Sequence, residues 1–97
     1  MKVKNAADEE QVKAARESEK RQAEDERNDT LWVLSQPAGR RFVWRYLGHC
    51  GVFKTSFTGN STTFYNEGMR NIGLRLLADV EAASLDNYLV MRKENTE

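Results

Sequence analysis

The only soft pair in this 97-residue chain is His49-Cys50, and a cysteine beside an imidazole is the pairing that can generate a thiolate nucleophile. Neighbouring residues on a helix point about 100° apart, so these two cannot couple without a strained backbone. Cys50 falls instead on an apolar helical face as a small core residue, and His49 at a helix C-terminus, where positive charge is favoured. One histidine and one cysteine are too few for a structural zinc site, and a single cysteine excludes an internal disulfide framework. Glu67, Asp79, Glu81 and Asp86 show no converging pair for acid–base work, and Arg75 with Asp79 reads as an i,i+4 surface pair. The expectation is a protein that is not an enzyme and holds no metal or cofactor.

Recognition chemistry is better supplied. Arg40, Arg41 and Arg45 cluster with Trp44 and Tyr46, a set able to meet phosphates and stack a base. A helix-turn-helix is excluded because about ten residues, not three or four, separate the two main helices. Gly48-His49-Cys50-Gly51 has the spacing of a KH loop, but that module needs three strands and the chain shows none. The 15 basic residues are balanced by 15 acidic ones, so nucleic acid is a possible partner but not the favoured one. Docking on protein is favoured: two Trp, three Tyr and four Phe exceed what so small a core easily buries, and Trp, Tyr and Arg dominate interface hot spots. Trp32, Trp44 and Arg45 are the first candidates. Asn60-Ser61-Thr62 fits a glycosylation sequon, but Met1-Lys2-Val3-Lys4 leads into acid rather than an apolar signal core, and its role as a turn and helix cap is preferred.

The elements that position these residues divide the chain in two. Residues 1–28 form a charged arm, helical or disordered, and residues 29–97 a compact helical domain. Of the 20 Leu, Ile, Val and Phe residues only Val3 and Val12 fall in the arm, and all nine aromatics lie beyond it. From Ala6 to Arg27 there is no Gly or Pro, and Glu9–Lys13 and Glu17–Arg21 have the favourable acid-first i,i+4 order. No sustained apolar stripe accompanies them: a heptad through Ala7 and Ala14 next lands on Arg21, against a dimeric coiled coil. No stretch is long and apolar enough to span a bilayer.

Asn28-Asp29-Thr30 is a cluster that caps or stops helices, and Leu31–Leu34 forms one or two turns, ending the arm helix or standing alone. Ser35 offers an N-cap to a helix with Pro37 in its first turn. Val43, Tyr46, Leu47 and Cys50 make its apolar face, and Gly48 and Gly51 end it. Residues 51–61 lack a period and read as an ordered loop, with Val52, Phe53 and Phe57 pinned into the core and a turn at Gly59-Asn60. Asn60, Ser61 or Thr62 caps the longest helix of the domain, which runs to about Ala83 with Tyr65, Met69, Ile72, Leu76, Val80 and Ala83 on one face and Leu74 and Leu77 widening it. Gly68 and Gly73 inside it suggest close backbone approach by the aromatic loop. Ser84 caps a last short helix with Leu85, Tyr88 and Leu89 inward, before a polar tail from Arg92 to Glu97. The fold class is all-α: a long charged N-terminal helical arm, then a three- to four-helix body with an ordered aromatic loop.

Three stretches carry a family resemblance: Gly39-Arg40-Arg41-Phe42-Val43-Trp44-Arg45; Gly51-Val52-Phe53-Lys54-Thr55-Ser56-Phe57-Thr58-Gly59-Asn60-Ser61; and Asn66-Glu67-Gly68-Met69-Arg70-Asn71-Ile72-Gly73-Leu74. Over about residues 29–91 the chain resembles a family of small proteins of tailed bacteriophages, of the Bordetella-phage type, encoded among head and portal genes. The resemblance implies a virion component or assembly factor made in the host cytoplasm. Its partners would be capsid or portal protein or neighbouring copies in an oligomeric assembly. It implies no enzyme activity and no cofactor. On that basis Arg40, Arg41, Trp44 and Arg45 form a docking face, and Phe53, Phe57 and Asn60 the rigid loop that organises it; Asn60 and Arg70 could equally be structural, bonding loop carbonyls. Two other functions stay open: an intracellular regulator that binds a host or phage protein through the charged arm, and a nucleic-acid-binding packaging factor using the Arg40–Arg45 helix.

Overall fold

The computed structural model describes residues 6–96; Met1-Lys2-Val3-Lys4-Asn5 and Glu97 lie outside the described residues. Four helices follow one another, α1 (Ala6–Leu34), α2 (Pro37–His49), α3 (Thr62–Ala83) and α4 (Leu85–Asn95), with no strand among the described residues. The fold is all-α.

Helix α1 does not stop at Asn28-Asp29-Thr30. The Thr30 hydroxyl donates back to the Glu26 carbonyl at 2.8 Å, so the β-branched residue joins the helix instead of capping it. The propensity loss of about 0.7 kcal/mol per residue at Asn, Asp and Thr is small beside the burial of Leu34, and Leu31–Leu34 therefore ends the arm helix. Ser35 closes α1 rather than opening α2: its hydroxyl donates to the Trp32 carbonyl at 2.6 Å. The N-cap of α2 is Gln36, held extended (φ −118°, ψ 137°) as the residue before a proline must be, with Pro37 in the first turn. The turn is tight because Gly39 lies against the last turn of α1, where a Cβ would sit 1.9 Å from the Val33 carbonyl oxygen.

Helix α2 ends in a Schellman motif. Val52 N–H donates to the Leu47 carbonyl (3.2 Å) and Gly51 N–H to that of Gly48 (3.0 Å), with Gly51 at φ 78°. The motif swings Val52 into the core beside Leu47, and Cys50 and Val52 pack onto α3 at Gly73, where a Cβ would lie 2.5 Å from each. Close approach thus accounts for Gly73. Gly68 faces open space.

The core is Leu34, Val43, Leu47, Val52, Val80 and Met91, drawn from all four helices and the loop, with Ala83 also buried. Helix α3 keeps much of the expected face, with Val80 and Ala83 buried and Leu74, Leu76 and Leu77 packed on the core, but Tyr65 and Ile72 are exposed and Gly73 is buried. Helix α4 is turned relative to its expected face. Met91 is fully buried and Tyr88 packs on the core, whereas Leu85 and Leu89 face out, and the helix takes in Arg92–Asn95, expected as tail. Ser84 joins the last two helices without a linker, its hydroxyl accepting from Asn87 N–H at 3.1 Å. The radius of gyration, 19.1 Å, far exceeds the roughly 12–13 Å of a compact chain this long, because α1 projects beyond the body.

Candidate functional site

The outward side of α2 is built by the helix period itself. Val43 and Leu47 occupy the inner stripe, so Phe42, Arg45, Tyr46 and His49 face solvent. Tyr46, expected on the inner face, is 46 % exposed. The Phe42 and Tyr46 ring centroids lie 4.9 Å apart, and the Arg45 guanidinium stands 5.4 Å and 5.7 Å from these two rings. The His49 ring meets Tyr46 edge-on at 5.6 Å. Cation and aromatic groups therefore form one continuous exposed surface, each arginine–ring contact worth about 0.5–1 kcal/mol at such a site.

The arginines of the run separate into different roles. Arg40 forks onto Glu94, Nε to Oε1 at 2.6 Å and Nη2 to Oε2 at 3.0 Å, while Nη1 donates to the Leu34 carbonyl at 2.8 Å. One guanidinium thus ties the end of α1 and the start of α2 to the last turn of α4. Hydrogen bonding to Arg40, aided by its charge and that of Arg41, holds the Glu94 carboxyl below its ordinary range, and the same bond raises Arg40. This fork leaves Arg41 and Arg45 as the outward cations of α2. The expected Arg75–Asp79, Glu9–Lys13 and Glu17–Arg21 pairs do not close: Arg40–Glu94 is the only ion pair within 4 Å that the described residues form, interactions of Asp8 aside.

Of the two tryptophans, Trp32 is 68 % exposed in the last turns of α1 and makes no ring contact among the described residues. Trp44 packs partly on the core and stacks on Phe53, centroids 4.8 Å apart at 30°. Phe53 and Phe57 are not pinned in the core: they are 51 % and 73 % exposed, because the Schellman turn spends the one inward position of the loop on Val52. Polar bonds shape the loop instead. Asn60 Oδ1 accepts from Thr62 N–H and the Thr58 hydroxyl, both at 2.9 Å, Thr58 N–H donates to Thr63 Oγ1 at 2.9 Å, and the Ser56 hydroxyl donates to Glu67. Arg70 makes no bond to a loop carbonyl; its Nε is buried without a partner.

Sequence reasoning missed Phe42 and Glu94. The signal for Phe42 was its i,i+4 spacing to Tyr46, about 100° round the helix from the Val43–Leu47 pair; a partner 54 residues away leaves no local signal for Glu94. His49 and Cys50 point to different surroundings, His49 to Tyr46 and solvent, Cys50 to Gly73. No group of three or more potential metal ligands occurs among the described residues, and none of their helices is long and apolar enough to cross a membrane.

Four helices around a minimal core, with an arginine–aromatic surface outside it, define a small all-α protein that exposes residue types of recognition. The chain belongs to the Bbp19-like phage protein family, whose profile matches residues 31–93. It is thus a phage-associated protein, and the match covers the body and only the last turn of α1. Comparison with curated proteins and with solved structures returned no match.

Proposed function

We propose that this protein is a virion structural or assembly component that acts, without chemistry of its own, by docking on other virion proteins such as capsid or portal protein. Residues 29–97 serve as the docking domain and residues 1–28 as an accessory arm; the chain is made in the host cytoplasm and carried into the particle. One observation carries the reading: eleven large apolar side chains are exposed among the described residues, more than the seven apolar residues buried in the core. Aromatic side chains beside arginine, as on α2, are the residue types enriched where proteins meet. Arg41, Trp44 and Arg45, with Phe42 and Tyr46, form the docking face, Trp32 and Phe57 are outlying anchors, and Arg40 supports the face from within.

Co-purification tests the reading. Washed particles or assembly intermediates should contain the chain at a fixed ratio to capsid or portal protein, and its absence from both rejects a virion role. A chain lacking residues 1–28 should still be incorporated; incorporation lost with the arm alone would favour an arm-mediated regulator. Salt-sensitive gel shifts with phage DNA would favour packaging instead.

A further inference from the structure

Resting on that reading for the use of the α2 face, we infer that the face is occupied by a second copy of this chain, which receives it in the hollow between α1 and α3. Helix α2 carries three arginines and one histidine and no carboxylate. Arg40 is committed to Glu94, but Arg41 and Arg45 are exposed, and Arg45 stands over Phe42 and Tyr46. The opposite charge gathers where α1 packs along α3. Residues 24–29 hold Glu24, Asp25, Glu26 and Asp29 against Arg27 alone, a net of −3, and of these Glu26, Arg27 and Asp29 line the hollow against α3.

The hollow there, ≈ 460 Å³, is lined by Ala23, Ala82 and Ala83 with Thr30, and by Glu26, Asp29 and Asp79 against the single base Arg27, so its charged lining stays acidic. All three carboxylates are exposed and none has an ion-pair partner among the described residues. Alanines leave room for a flat group, and carboxylates favour a guanidinium, which is the pair of features Arg45 and its flanking rings offer.

No residue of α2 lines the hollow, and Val43 and Leu47 fix α2 in the core, so a copy cannot fill its own hollow. Two different patches meet, a heterologous contact that builds a ring or a filament according to the rotation between copies. The net charge of zero removes the repulsion that would oppose it.

Sedimentation velocity on the full chain tests this. At about 50 mM salt the chain should associate as its concentration rises, and about 500 mM should weaken association roughly tenfold. A face variant (Arg41→Ala, Arg45→Ala) and a hollow variant (Glu26→Gln, Asp29→Asn, Asp79→Asn) should each stay monomeric, with thermal melts by circular dichroism confirming their fold. Mixed one to one they should form a dimer and nothing larger, since only one competent contact remains. A wild-type chain monomeric at every concentration in low salt overturns the inference without using any variant. So do oligomers that persist in both variants, or a mixture that fails to pair. A chain found in particles yet monomeric in solution sinks this inference and leaves the docking function standing.

Discussion

Over residues 6–22 of α1 every side chain except Val12 is exposed, whereas α2, less than half as long as α1, meets tertiary partners along its whole length. Gly39 lies against Val33, Arg40 holds Glu94, Val43 and Leu47 enter the core, and the turn after His49 packs on Gly73. The arm is helical through local propensity, the sum of many small terms, and α2 through contacts that exist only in the folded body. The contrast teaches that equal backbone geometry can rest on unequal support. Global stability resides around α2, and residues 6–22 of the arm add little to it.

Emptying the core should break the α2 side of the contrast most severely. Leu47→Ala, at a position with no exposure, should lose about 2–5 kcal/mol in urea denaturation. The glycines come next and give opposite signs. Gly39→Ala and Gly73→Ala should each lose about 1–3 kcal/mol, because a Cβ collides with the Val33 carbonyl or with Cys50 and Val52. Gly68→Ala, facing open space, should gain about 0.5–1 kcal/mol from helix propensity alone.

The Arg40–Glu94 fork gives a pH signature. Its folded carboxyl is held below the ordinary value of 4.5, so its contribution is present above that value and disappears as pH falls through the lower, folded one. Melting temperatures of wild type and Glu94→Gln should therefore differ at neutral pH and converge in acid below the carboxylate range. A gap unchanged at low pH would deny the fork its stabilising role. The smallest effect belongs to the arm: removing residues 1–22 should leave the urea midpoint of the body unchanged, and amide exchange over residues 6–22 should be fast while that of α2 is slow.

Legibility in the sequence followed the same division. The α2 stripe of Val43, Leu47 and Cys50, the proline start at Pro37 and the Ser84 cap could be read because each depends on spacing within a few residues. The phase of α3 could be read only in part: Leu76, Val80 and Ala83 turn inward as their spacing predicts, but the places of Tyr65 and Ile72 could not be read. Apolar residues surround much of its circumference, so Tyr65 and Ile72 were as eligible for the core as Leu77, and the bulk of Cys50 and Val52 selected the side where Gly73 leaves room. Met91 was hidden for a similar reason, since Leu85 and Leu89 offered a rival face on α4. On the outward side of α2 and the loop after it the residue types were visible, but not the withdrawal of Arg40 into the fold or the exposure of Phe53 and Phe57.

What the sequence determined alone was the helical class, the charged arm without an apolar stripe and the surplus of aromatic and arginine side chains. Composition and short-range periodicity act before any two helices meet, so these properties survive whatever the packing. Tertiary structure decided that Tyr65 and Ile72 stay outside the core, which side of α4 turns inward, which arginine is structural and which remain outward, and that Val52 rather than a phenylalanine anchors the loop. Those choices depend on shape and on partners tens of residues away, and steric fit at Gly39 and Gly73 settles them only when the helices are in contact.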